Sequence, residues 1–191
     1  MDSDETGQRY DADLTAAVTE LGTALRELVD ASVRTTVPSA ELRAAAAEAR
    51  ATTARLAAAR RPPNQLPELD DPVVFRRVYN PVSGVGSALA PPLVIRAAGD
   101  GVVAEVTLGL AYEGPPGYVH GGMSSLLVDQ LLGGAAIGAR LWGMTVRLEL
   151  DYRRPVPLHT PLVLRAAVTD ASGRHAPPRR PTDATALSGQ P

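Results

Sequence analysis

The stretch that decides the fold runs from Val119 to Gly143, VHGGMSSLLVDQLLGGAAIGARLWG. Met123, Leu126, Leu127, Val128, Leu131, Leu132, Ala135, Ala136 and Ile137 leave hardly any polar face. A helix of that profile is expected to be buried. It is predicted to start near Gly121 and to stop near Gly143, just past Trp142. The centre of its apolar surface holds Asp129. An unpaired buried carboxylate is costly, so Asp129 is either hydrogen-bonded for structure or kept for chemistry. A third placement, at a solvent-facing spot, also stays open at this point.

The start of this helix is open backbone. Gly121 and Gly122 carry no side chain to keep a ligand away. The unpaired N–H groups of a first turn, with the helix dipole behind them, suit an oxyanion or a polarised carbonyl. Nine positions separate His120 from Asp129, about 13 Å along a helix axis. One chain therefore cannot bring both groups to one reacting carbonyl, and joint action requires two subunits. The pair Gly133-Gly134, followed by Ala135-Ala136, is expected to let a sheet wrap the helix closely.

Outward from the helix the pattern changes to period two. Leu93–Ala98 reads as a strand, and Asp100-Gly101 as a hairpin turn. The return strand, Val102–Leu110, puts Ala104, Val106 and Leu108 on one face. Glu113-Gly-Pro-Pro-Gly117 is a turn. Beyond the helix, Val146, Leu148, Leu150 and Tyr152 alternate with Arg147, Glu149 and Asp151, which predicts a further strand. Pro161–Asp170 is the fourth, with Leu162, Leu164, Ala166 and Val168 on one side. The order β-β-α-β-β argues for an α+β fold.

Upstream, residues 11–61 read as a helical hairpin. Leu14, Val18, Leu21, Leu25 and Leu28 are spaced 4-3-4-3, an a/d seam. Thr35–Ser39, with Pro38, breaks the helix. The second helix, from about Ala40 to Arg60, repeats Leu42, Ala49 and Leu56 every seven residues. The hairpin packs either on itself or on a partner chain. Residues 62–79 read as a linker, and Met1–Tyr10 as a disordered terminus without the features of a secretory signal or transit peptide.

Composition narrows the function classes. A net charge of −2 gives no electrostatic reason for a nucleic-acid or anionic-membrane partner. There is no cysteine, and three scattered histidines argue against a transition-metal site. No window is apolar enough to span a membrane, because Met123–Trp142 is interrupted by Asp129 and Arg140. A cytoplasmic protein without a cofactor is expected.

Three quoted segments carry a resemblance: Glu113-Gly-Pro-Pro-Gly-Tyr-Val-His-Gly-Gly122, Asp129, and Tyr152-Arg-Arg-Pro-Val-Pro-Leu158. Together they resemble the PaaI-type branch of the hotdog-fold thioesterases, particularly the THEM-like acyl-CoA thioesterases. The resemblance covers residues 80–174. It implies an antiparallel sheet wrapped round the central helix, and hydrolysis of acyl-CoA in fatty acid metabolism by a homodimer or homotetramer. It implies Asp129 as base or nucleophile and the backbone at Gly121 and Gly122 as oxyanion donors. Thr145, on the segment after the helix, would orient the water or hold the carboxylate. His120 either touches substrate or caps the helix, and Asn80 assists from the preceding loop. Arg153 and Arg154 either pair with CoA phosphates or form a solvated strand edge.

The chain departs from that pattern after Arg174. Residues 175–191 show no alternation, so a disordered tail is expected, and the domain would lack its last strands. Every one of the nineteen basic residues is arginine, as in a GC-rich gene, and a frameshift there is the expected origin of such a tail. Two other functions compete with the thioesterase. One is an inactive remnant or non-catalytic interaction protein; the other is a hotdog hydratase, which would want a histidine inside the helix.

Overall fold

The computed structural model describes residues 11–71, 75–91 and 93–170. The expectations for residues 1–10 and 175–191 lie outside them. Helix α1 spans Ala12–Arg34 and α2 spans Ser39–Ala57. Strands β1 (Val94–Ala98) and β2 (Gly101–Thr107) lead through a 3-10 turn at Leu110–Tyr112 to helix α3 (Gly121–Gly138), and β3 covers Pro161–Ala167. The sheet is antiparallel in the order β1-β2-β3.

Sheet register follows from alternation. Ala104, Val106 and Leu108 point into the core from β2 and its extension; Leu162, Leu164 and Ala166 do so from β3. Ala104 pairs with Leu164 and Val106 with Leu162, so the apolar sets share one face. Ala98 pairs with Gly101, which makes Gly99-Asp100 the two-residue turn, one position earlier than its sequence suggests. Gly99 takes φ +58°, a conformation that glycine adopts without strain. Helix α3 lies on that face through Ser124, Leu127, Leu131 and Ala135. Leu108, Leu127 and Leu162 are fully enclosed, each contributing about 1.5–3 kcal/mol of apolar burial.

Three expectations about α3 are corrected. The helix ends at Gly138 rather than near Gly143, because Arg140 turns left-handed at φ +58°. Its N–H bonds Ile137 O while the Leu141 N–H reaches Ala136 O, the paired closure of a Schellman motif. The helix is also not buried all round. Only the sheet-facing stripe is covered, and Leu126 and Ile137 on the other side are each 38% exposed. Gly133 would have nothing within 4 Å of an added Cβ, and Gly134 only ordinary contacts at 3.9 Å. Close wrapping by this sheet does not require either glycine.

The alternating segment Val146–Tyr152 forms no strand. Residues 141–156 are irregular, and Met144 and Val146 are each 92% exposed. Alternation marks a face that can be buried; it supplies no neighbour, and an unpaired strand has no ladder to hold it. The segment is tethered at its ends, by Trp142 packing at a tilt of 45° on Phe75 with ring centroids 4.4 Å apart and by the Tyr118–Pro157 bridge.

The N-terminal helices do not pack on each other as a hairpin seam. In α1, Leu21 and Leu28 of the 4-3-4-3 pattern are exposed, while Gly22 is buried. A Cβ at Gly22 would sit 2.3 Å from Val85 O, so a glycine is what admits this helix to the 85–87 loop. Arg26 completes the attachment, donating from Nη1 to Val85 O at 3.0 Å and Ser87 O at 2.8 Å. Helix α2 buries no residue. Within 62–79, Leu69 and Val78 are buried, and the enclosed Asp70 carboxylate accepts from Val78 N at 2.7 Å and Arg77 Nε at 2.8 Å.

Candidate active site

His120 is the N-cap of α3. Its Nδ1 accepts from Gly122 N at 3.0 Å, which satisfies one of the first-turn amides. An accepting Nδ1 carries no proton, so the neutral ring holds its hydrogen on Nε2. The structure thus gives His120 the capping geometry, one of the two roles that its sequence context leaves open. It also means that the Gly122 amide is engaged within the chain. His120 is fixed in turn by its own N–H, which bonds Tyr112 O at 2.9 Å. Burial pushes the Tyr112 phenol up, and the nearby Arg26 guanidinium partly opposes that rise.

Asp129 lies on the side of α3 away from the sheet, partly exposed, and not at the centre of a buried surface as expected. The reason is angular. At 100° per residue, Asp129 falls about 155° from the middle of the Ser124–Leu127–Leu131–Ala135 stripe, whereas Gly122 shares its side. The carboxylate is not orphaned: Thr145 Oγ1 donates to Asp129 Oδ1 at 2.8 Å. Asn80 reaches the neighbouring residue, its Nδ2 donating to Gln130 Oε1 at 3.2 Å, while its Oδ1 accepts from Val82 N and Ser83 N. Gly84 is needed for that tight loop, since an added Cβ would lie 2.4 Å from Asn80 N.

The structure therefore brings Asp129, Thr145 and, through Gln130, Asn80 together at the middle of α3. Gly121, Gly122 and His120 gather at its N-terminus. Arg153 and Arg154 stand exposed on the 141–156 segment. Among the described residues there is no cluster of histidines and carboxylates that could hold a metal ion. No helix among them is long and apolar enough to cross a membrane.

Sequence reasoning missed one group. The Tyr152 hydroxyl donates to Gly121 O at 3.0 Å, and Ser125 Oγ lies within hydrogen-bond reach of both. Tyr152 reads in the sequence as an apolar position of a strand and as the first residue of the Tyr152–Leu158 segment, with no role of its own. Nothing in its spacing signals a hydroxyl partner 27 residues away.

Comparison with known proteins agrees with this architecture. The Thioesterase superfamily model matches residues 116–176, which include α3 and β3. A crystal structure described as a thioesterase superfamily protein is 37% identical, with a TM-score of 0.73 over 82% of this chain and 82% of that one. The acyl-coenzyme A thioesterase THEM4 of Xenopus laevis is 36% identical over 62 residues, 32% of this chain and 28% of its own length. THEM4 of Mus musculus is 35% identical over 66 residues, 35% of this chain and again 28% of the relative. The match thus spans little more than a quarter of those curated relatives. An α+β core of three antiparallel strands against one long helix, its sequence 37% identical to that solved structure over four-fifths of both chains, leads to one assignment: the chain belongs to the thioesterase superfamily and has its hotdog fold.

Proposed function

We propose that the protein hydrolyses acyl-CoA thioesters to a free acid and CoA. The observation that carries this reading is the Thr145–Asp129 pair on the open side of α3, which Gly122 shares. A carboxylate fixed by a hydroxyl and accessible to water is placed to take a proton. The water oxygen forms a bond to the thioester carbon as its proton passes to Asp129. The resulting oxyanion accepts from backbone N–H groups at Gly121 and Gly122. Collapse breaks the C–S bond, and the proton on Asp129 returns to the leaving CoA thiolate. Direct attack by Asp129, giving an anhydride that water then opens, uses the same groups.

Geometry supports a homodimer or a pair of dimers in this role. Gly122 and Asp129 face the same side, seven residues apart, about 10 Å along the axis. Two α3 helices packed antiparallel near Leu126 would set Gly122 of one copy beside Asp129 of a second. That packing would also cover Leu126. Arg153 and Arg154 are forks suited to the CoA phosphates. A cytoplasmic location and a part in fatty acid metabolism go with this substrate class.

The test is thiol release from a panel of acyl-CoAs by the full chain, alongside Asp129→Asn. Release that collapses in the variant supports the reading. A folded wild type that releases no thiol from any member would favour a non-catalytic interaction protein.

A further inference from the structure

Tyr152 touches α3 at one atom of consequence. Its hydroxyl bonds the carbonyl of Gly121 at 3.0 Å, and its ring lies over that glycine, 3.5–3.7 Å from where a Cβ would be. Ser125 Oγ is 3.0 Å from the same carbonyl and in close contact with the Tyr152 hydroxyl. Two hydroxyl hydrogens serve these three contacts. Ser125 Oγ–H and Tyr152 Oη–H both donate to the Gly121 carbonyl, and either hydrogen can be shared across the Ser125–Tyr152 contact.

The Gly121 carbonyl and the Gly122 N–H belong to one planar, conjugated peptide. A hydrogen bond donated to the oxygen draws electron density from the nitrogen and makes its N–H a stronger donor, and bonds in a chain reinforce one another. The other end of that peptide is guarded differently. The Gly122 N–H rests on His120 Nδ1, and an added Cβ at Gly122 would meet only the imidazole, at 3.1–3.2 Å. Polarisation therefore enters on one side of the peptide, and an acceptor is received on the other.

We infer that Tyr152, backed by Ser125, is a positioning residue that polarises the Gly121–Gly122 peptide for its acceptor. In the free protein His120 Nδ1 is that acceptor, and the thioester oxygen displaces it during turnover. The second half of the statement rests on the proposed thioesterase reaction; the polarisation itself does not. Tyr152 joins the irregular 141–156 segment to the helix start, so the same residue also couples that segment to the donor.

The experiment compares wild type with Tyr152→Phe, which keeps the ring, and Ser125→Ala, as full chains. The first readout is the Gly122 amide proton in the 15N-correlated NMR spectrum. An upfield move in Tyr152→Phe, smaller in Ser125→Ala, is expected; an unmoved resonance overturns the inference. The second readout is kinetic. Tyr152→Phe should lower kcat by about three- to tenfold with KM little changed, a fraction of the roughly hundredfold loss of an entire oxyanion donor. A rise in KM with kcat intact would overturn it, since that outcome assigns Tyr152 to substrate binding. If the wild type hydrolyses no thioester, the proposed reaction fails, and the amide resonance alone still decides the polarisation.

Discussion

Thr145 Oγ1 donates to Asp129 Oδ1 at 2.8 Å, binding a carboxylate on the open side of a helix to a segment that otherwise has no regular structure. Thr145 lies sixteen positions beyond Asp129, past the Schellman turn at Arg140, which sends the chain back along α3. Charge-assisted hydrogen bonds of this kind fix a carboxylate's rotamer as well as stabilising it.

Removing either partner should separate chemistry from alignment. Asp129→Asn is expected to lower kcat by roughly 10²–10⁴-fold, the range of a lost general base. Thr145→Ala should cost roughly tenfold, as for one hydrogen bond to a charged acceptor, and Thr145→Ser should restore most of it. Steady-state thiol release checks all three; equal loss in Thr145→Ala and Thr145→Ser would remove the hydroxyl from the account.

The open side of α3 predicts the assembly. Leu126→Arg should leave a folded monomer, because the side chain already reaches solvent on one copy. It should abolish both dimerisation and activity. Sedimentation velocity beside circular dichroism reads this directly. A fully active monomer would show that one chain completes the site.

Gly22→Ala tests the seat of α1. The new methyl would meet the Val85 carbonyl, a backbone atom that cannot rotate away. A loss of about 1–3 kcal/mol in urea unfolding is expected. An unchanged midpoint would mean that α1 does not rest on the 85–87 loop in solution.

His120→Ala removes the cap of α3 and should lower stability by about 1 kcal/mol, with Asn at the same position restoring most of it. Chemical denaturation measures this without reference to turnover.

Tyr112 carries the pH prediction. Its phenol ionises higher in the folded protein than the ordinary 10.0. Above that ordinary value the unfolded chain loses this proton first, so folded stability is intact below about pH 10 and falls as pH rises further. Tyr112→Phe should flatten that fall in unfolding experiments run between pH 9 and 11.5, values chosen to bracket about 10.

Much of this protein could be read directly. Period-two spacing located β1, β2 and β3 and the buried faces of β2 and β3, since Ala104, Val106, Leu162 and Leu164 can only alternate one way on a pleated strand. Glycines and the His120 cap signal marked the start of α3, and Pro38 the break between α1 and α2. The family resemblance paired Thr145 with Asp129, and the structure places the two in hydrogen-bond contact.

Tertiary structure decided what periodicity cannot. Val146, Leu148, Leu150 and Tyr152 alternate as a strand should, yet a strand exists only where a neighbour completes its hydrogen bonds, and that neighbour is not local information. The apolar excess of α3 hid which stripe meets the sheet; packing chose Ser124, Leu127, Leu131 and Ala135 and so turned Asp129 outward. Likewise the leucine seam of α1 gave way to Gly22 and Arg26, because a close backbone approach and two carbonyl acceptors outweighed the exposed Leu21 and Leu28. Sequence determined which residues could be buried and which could react; only the three-dimensional packing decided which faces were covered and which groups met, because those depend on partners far away along the chain.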